Sequence, residues 1–160
     1  MQGACGIGGN ADILHYVWQP LIGDGNLSAR VTGVTTSSEY EQADAGVMLL
    51  ASSGPVAPYY FVYSGNVGSV EVGYRAGQGH AAQHLADLRL HLVPVYLGVG
   101  RAGDTHTAYV FDDGATWAPL NESSVALPAM GSTLETGLAV ASFQTGWLSM
   151  ATFDHVFLGL

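Results

Sequence analysis

Leu27, Ala29 and Val31 alternate with Ser28, Arg30 and Thr32, and this two-residue period recurs along the chain. A strand turns successive side chains to opposite faces, so such a stretch buries one face and wets the other. Short runs rich in β-branched and aromatic residues predict further strands over residues 13–19, 43–51, 59–64 and 67–75. Pro20 and the Gly23-Asp24-Gly25-Asn26 turn close the first. Ser52-Ser53-Gly54-Pro55 and Ser64-Gly65-Asn66 make the later three a meander. Residues 76–86 read either as a helical turn, on Ala81, Ala82, Leu85 and Ala86, or as a loop, because they open with Gly77-Gln78-Gly79.

Alternation resumes at Leu88, Leu90 and Leu92 and breaks at Pro94. Residues 95–101 and 105–111 form a hairpin across Ala102-Gly103-Asp104. In Phe111-Asp112-Asp113-Gly114 the glycine suits the left-handed position of a bulged hairpin, and Trp117 follows on the returning strand. A last pair, 134–143 and 148–158, is joined across Gln144-Thr145-Gly146. About ten short strands without a convincing helix predict an all-β sandwich or barrel.

Composition agrees. At 160 residues the chain holds one domain, with residues 1–10 a flexible or edge segment and 11–160 a single β-sandwich domain. Only 11% of residues are charged and 22 are glycine, which suits strands joined by tight turns. The net charge is −9, there is no lysine, and Arg30, Arg75, Arg89 and Arg101 are scattered. Nucleic acid and anionic membrane surfaces need clustered cations, so neither is an expected partner. No apolar run reaches membrane-spanning length. Cys5 is the single cysteine, which precludes an intrachain disulfide or a multi-cysteine metal site. Residues 1–11 lack the charged and apolar regions of a signal peptide.

Five segments in order resemble one bacterial sandwich family. Residues 19–31, Gln-Pro-Leu-Ile-Gly-Asp-Gly-Asn-Leu-Ser-Ala-Arg-Val, resemble its opening. Ala43-Asp44-Ala45-Gly46-Val47-Met48 and Asp113-Gly114-Ala115-Thr116-Trp117 resemble an inner strand and a hairpin. Gly137-Leu138-Ala139-Val140 and Ala151-Thr152-Phe153-Asp154-His155-Val156 resemble its closing strands. The family is that of regulation-of-enolase-protein-like modules with the concanavalin A-like lectin/glucanase fold. The resemblance implies a two-sheet antiparallel β-sandwich of jelly-roll type, an accessory module of proteins that act on or adhere to glycans, and an extracellular or cell-surface address. It carries no catalytic residues. Where the family has a basic residue this chain has Asp44, and Leu50 replaces a frequent arginine.

For chemistry, Glu39, Glu41 and Asp44 form a carboxylate cluster, yet the spacing departs from the alternate positions that paired glycanase acids need. A solvated acidic loop is the preferred reading. His80 and His84 have helical i, i+4 spacing but no acidic partner beside them in sequence, so a surface loop is preferred to a metal site. No cofactor is expected. Gly23-Asp24-Gly25-Asn26 and Asp112-Asp113-Gly114 read as turns, with structural calcium from separate loops left open. A sugar site needs aromatic faces with polar neighbours. Tyr40, Glu41, Glu71, Arg75 and Trp147 are the candidate ligand-binding residues, and Trp117 reads as structural.

Both faces of the third and fourth strands are apolar, with Met48, Leu50, Phe61 and Tyr63 on the face away from Val47 and Leu49. Such a sheet needs cover from a loop, another domain or another copy of the chain. The missing lysines also leave sheet edges without a common guard. The ranked readings are a non-catalytic carbohydrate-binding or adhesive module, then a self-assembling or protein-interaction module using Met48, Leu50, Phe61 and Tyr63, then a glycan-active hydrolase using Glu39 and Glu41.

Overall fold

A computed structural model describes residues 2–3, 14–37, 42–66, 68–89, 93–111, 113–142 and 147–160. The strands are β1 (Gln2–Gly3), β2 (His15–Ile22), β3 (Gly25–Thr36), β4 (Ala43–Leu50), β5 (Tyr59–Gly65), β6 (Ser69–Arg75) and β7 (Gln83–Arg89). They continue with β8 (Val95–Ala102), β9 (Thr105–Phe111), β10 (Ala118–Pro119), β11 (Val125–Ala126), β12 (Thr133–Ser142) and β13 (Ser149–Gly159). Among the described residues the sole helical element is a 3₁₀ turn, Pro128–Met130.

The strands form two antiparallel sheets. The larger runs β1-β13-β3-β8-β9-β10, with β11 also on β9; the smaller runs β2-β12-β4-β5-β6-β7. Side-chain alternation places the core between them. Leu27, Ala29 and Val31 on β3, with Val95, Leu97 and Val99 on β8, face inward from the larger sheet. Val47, Leu49, Tyr60, Val62 and Val72 meet them from the smaller one. The meander β4-β5-β6 and the β8-β9 hairpin stand where the sequence places them.

Three details depart from the sequence reading. First, β2 runs through Pro20 to Ile22, because β2 is an edge strand and the missing N–H faces no second neighbour. Second, residues 83–89 are neither helical turn nor loop but strand β7, paired with β6 through a register shift at Val72/Gly73. Third, β12 and β13 are not partners: β12 pairs β2 and β4, while β13 pairs β3 and β1 in the opposite sheet. Alternation fixes which residues point inward, not which sheet receives the strand.

At its centre, on β4 and β5, the smaller sheet is buried on both faces. On its outer side Met48, Leu50, Ala57, Tyr59, Phe61 and Ala139 form a second core, against which Leu14, Tyr16, Tyr63 and Ala82 pack. The Tyr16 hydroxyl lies 2.9 Å from the Met48 carbonyl and 2.7 Å from that of Glu135, donating to one at a time. Met48 and Phe61 expose 0% of their surface. Of the expected interface residues, Met48, Leu50 and Phe61 are buried and Tyr63 is half-buried, and segments of the same chain supply the cover that this apolar face needs.

Candidate functional site

The other outer face, that of the larger sheet, is open. On β3, β8 and β9 the residues that alternate with the core point outward: Ser28, then Tyr96, Gly98 and Gly100, then Thr107, Tyr109 and Phe111. All but Gly98, which lies under Trp117, line a groove of about 960 Å³, walled by Trp117 on one side and by His155, Val156 and Phe157 of β13 on the other. Trp117 lies over β8 because Gly98 has no side chain. A Cβ there would stand 2.5 Å from the edge of the indole. Gly100 makes the same room for Tyr109, whose ring would lie 3.1 Å from an added Cβ.

The aromatic rings support one another. Phe111 stacks on Trp117 at 4.9 Å between centroids and on Tyr96 at 5.1 Å, while Tyr109 meets Trp117 edge-on at 5.1 Å. These separations are those of mutually stabilising rings. Trp117 keeps 36% of its surface exposed. The result is an aromatic surface held in place before any ligand arrives.

The wall on β13 comes from a bulge. Asp154 pairs with Arg30 and Phe157 with Ser28, so His155 and Val156 together oppose Ala29. His155 adopts φ +49°, the left-handed region in which a side chain is uncommon. This re-aims the imidazole, which meets the Tyr96 ring edge-on at 5.9 Å. Its Nδ1 lies 2.9 Å from Asp154 Oδ1. Arg30 donates from Nε and Nη2 to the two Asp154 oxygens, at 2.7 and 2.5 Å, and its guanidinium stands 5.7 Å from the Tyr96 centroid. These bonds hold the Asp154 carboxyl down to about 2. Asp113, on the Trp117 side, accepts from Ala115 N–H, Thr116 N–H and the Thr116 hydroxyl, and is likewise lowered to about 2.

Of the predicted ligand-binding residues, none that the structure describes lines this groove. Tyr40, Glu41 and Glu39 fall outside the described residues, as do Cys5, Asp112 and residues 144–146. Trp147 is 38% exposed but lines no part of the groove. Arg75, expected at a binding surface, is fully buried. Its Nε donates to the His80 carbonyl and Nη1 to that of Ala57, and it lies over the Tyr59 ring, so it fastens the cover of the second core. Glu71 sits on the same side of the smaller sheet, accepting from the hydroxyls of Tyr63 and Ser69, with His84 Nε2 3.4 Å away. His80 and His84 occupy a loop and a strand rather than one helix face, and no group of three metal-ligating side chains is found among the described residues. The Asp24 carboxylate accepts from Gly103 N–H at 2.7 Å and ties two turns together.

Tyr96, Tyr109, Phe111, His155 and Phe157 were the residues that sequence reasoning missed, and Trp117 faces the groove that it also helps build. One signal was available: in residues 95–101 and 105–111 most positions alternating with the core carry aromatics or glycines, Tyr96, Gly98, Gly100, Tyr109 and Phe111, and only Thr105 and Thr107 are ordinary polar residues.

No family model matches the chain, and no curated protein matches it. Solved structures do. A functionally unknown protein from Saccharomyces cerevisiae is similar at 16% identity with a TM-score of 0.66, over 92% of this chain and 75% of that one. A carbohydrate-binding module, CBM66, from Bacillus subtilis is similar at 12% identity with a TM-score of 0.60, over 94% and 83%. Sheep galectin-11, solved with glycerol, is similar at 13% identity with a TM-score of 0.54, over 93% and 97%. At these identities the likeness is one of fold. The chain is an all-β, two-sheet antiparallel jelly-roll sandwich, of the concanavalin A-like architecture that its sequence resembles.

Proposed function

We propose that this protein is a non-catalytic glycan-binding module that uses the groove on the larger sheet, in an extracellular or cell-surface setting. The observation that carries this reading is the preformed aromatic surface of Tyr96, Tyr109, Phe111 and Trp117, bordered by Asn26, Ser28, Thr107 and Asp113. An aromatic face covers the apolar C–H face of a pyranose, while hydroxyl, amide and carboxylate groups at the border fix its hydroxyls. Rigid rings lose little freedom on binding, which favours affinity. The similar fold of a carbohydrate-binding module and a galectin supports the same reading.

The non-catalytic part rests on the carboxylates. Retaining and inverting glycosidases need one carboxyl raised enough to donate a proton and a second beside it. Asp113 and Asp154 are both shifted the other way, by hydrogen bonds and an ion pair. Asp44 is raised, but it is 6% exposed on the smaller sheet and lines no groove.

The test is a glycan array followed by calorimetric titration of each hit. Trp117→Ala is expected to weaken binding about tenfold or more, equivalent to ~1.4 kcal/mol, as for an aromatic anchor. Unchanged binding by this variant would move the site off the groove.

A second reading, self-association, draws on edge strand β2, where Val17, Trp18 and Ile22 are exposed. Light scattering across a concentration series separates it: a monomer throughout excludes it.

A further inference from the structure

The charges around the groove bear on which glycans it takes, an inference that rests on the glycan-binding reading. Arg101 is the one fully cationic side chain among the lining residues. It is buried, and its guanidinium donates to the carbonyls of Gly103, Gly131 and Ser132, which leaves it committed to the fold. Arg30, the next cation, is bound in bidentate fashion by Asp154 and covered on one side by Tyr96. The remaining arginines, Arg75 and Arg89, belong to β6 and β7 in the opposite sheet, and the chain has no lysine.

Acids, by contrast, stand on several sides. Asp113 lines the groove with its charge exposed. Asp154 adjoins the His155 wall, and Asp24 and Asp104 occupy the turns at the end formed by Gly25, Arg101 and Ala102. An incoming carboxylate or sulfate meets the like charge of Asp113 and no uncommitted arginine among the lining residues. The net charge of −9 adds the same sign at longer range. Hydroxyls, however, donate readily to ionised Asp113 and to the oxygens of Asn26 and Ser28.

We infer that the groove selects neutral glycans, chains whose sugars carry free hydroxyls and no carboxylate, sulfate or phosphate, and that pairing of Arg30 with Asp154 maintains this selection. Affinity electrophoresis in gels containing neutral polysaccharides (galactan, mannan, arabinoxylan and levan) or acidic ones (polygalacturonate, alginate and carrageenan) tests it. Retardation by at least one neutral polymer, lost in Trp117→Ala, and at least tenfold weaker retardation by every acidic polymer is the expected result. Asp154→Asn, checked by circular dichroism for an intact fold, frees the Arg30 guanidinium and should gain retardation by polygalacturonate that disappears in 0.5 M NaCl, about a 4 Å screening length. Tight, salt-sensitive retention of the unmodified protein by an acidic polymer would overturn the inference and leave the glycan-binding reading intact. Retention by no polymer of either kind would overturn that reading, and this one with it. An Asp154→Asn protein that still ignores polygalacturonate would remove the ion pair from the explanation.

Discussion

Asp44 follows Ala43 on β4, 6% exposed, with Glu71 as a nearby like charge. Loss of water, and to a smaller degree the charge of Glu71, raise its carboxyl to about 8 from the ordinary 3.8. The sign of the consequence follows. Below pH ~4 the group is protonated in both folded and unfolded chains and has no effect on the balance. Between pH ~4 and about 8 the unfolded chain releases the proton while the folded one keeps it, so stability falls as pH rises through that window. Asp44→Asn, which cannot ionise, should leave the melting temperature unchanged at pH 4 and raise it at pH 8. Parallel melting curves for the two proteins across pH 4–8 would show that Asp44 is not buried as a neutral acid. In the sequence Asp44 is only one acidic residue within an apolar run. Its altered chemistry depends on burial and on Glu71 from another strand, and neither is written locally.

The bulge in β13 shows the same limit for an element. The run Ala151-Thr152-Phe153-Asp154-His155-Val156 announces a strand, and Ala151 and Phe153 do point to the core. Two-residue alternation would then place His155 inward with them. The inserted residue instead lets Leu158 resume core packing while His155 and Phe157 face the groove. The backbone at His155 costs about 1 kcal/mol that glycine would avoid, while glycine gives up a similar amount through its freer unfolded chain. His155→Gly is therefore expected to keep stability within about 1 kcal/mol and to weaken glycan binding severalfold, because the imidazole wall against Tyr96 is lost. Thermal unfolding and calorimetric titration of the same preparation check both halves. A large fall in stability would mean that the side chain, through Asp154, and not the register of β3 against β13, holds the bulge. The β8-β9 hairpin was legible because its turn and both alternating strands are contiguous. The groove was not, since Tyr96 and Trp117 are far from Phe157 in the chain, and Phe157 reaches the groove only when β13 joins β3.

At the scale of the molecule, the two sheets divide the work according to what lies on their outer faces. The smaller sheet carries Met48, Leu50, Phe61 and Tyr59, and its apolar outer face is closed by Tyr16, Leu14 and the segments that Arg75 fastens at Ala57 and His80. The larger sheet carries aromatics, glycines and the hydroxyl residues Ser28 and Thr107 on its outer face and stays open along the groove. The apolar pattern of β4 and β5 correctly demanded cover, and the sequence left open whether a loop, a domain or a second copy supplies it. That choice depends on where distant segments pack, which alternation within one strand does not specify. The two alternatives give opposite results for Met48→Ala. If Met48 belongs to an internal core, truncation leaves a cavity that the surrounding side chains only partly fill, at about 2–5 kcal/mol. Equilibrium denaturation should then show that loss at every protein concentration, with the same mass by light scattering before and after the substitution. If instead a second copy covers Met48, the loss would shrink on dilution, since dissociated chains of both proteins already expose the site, and the unsubstituted protein would scatter as an oligomer. Full burial of Met48 and Phe61 within one chain favours the first outcome.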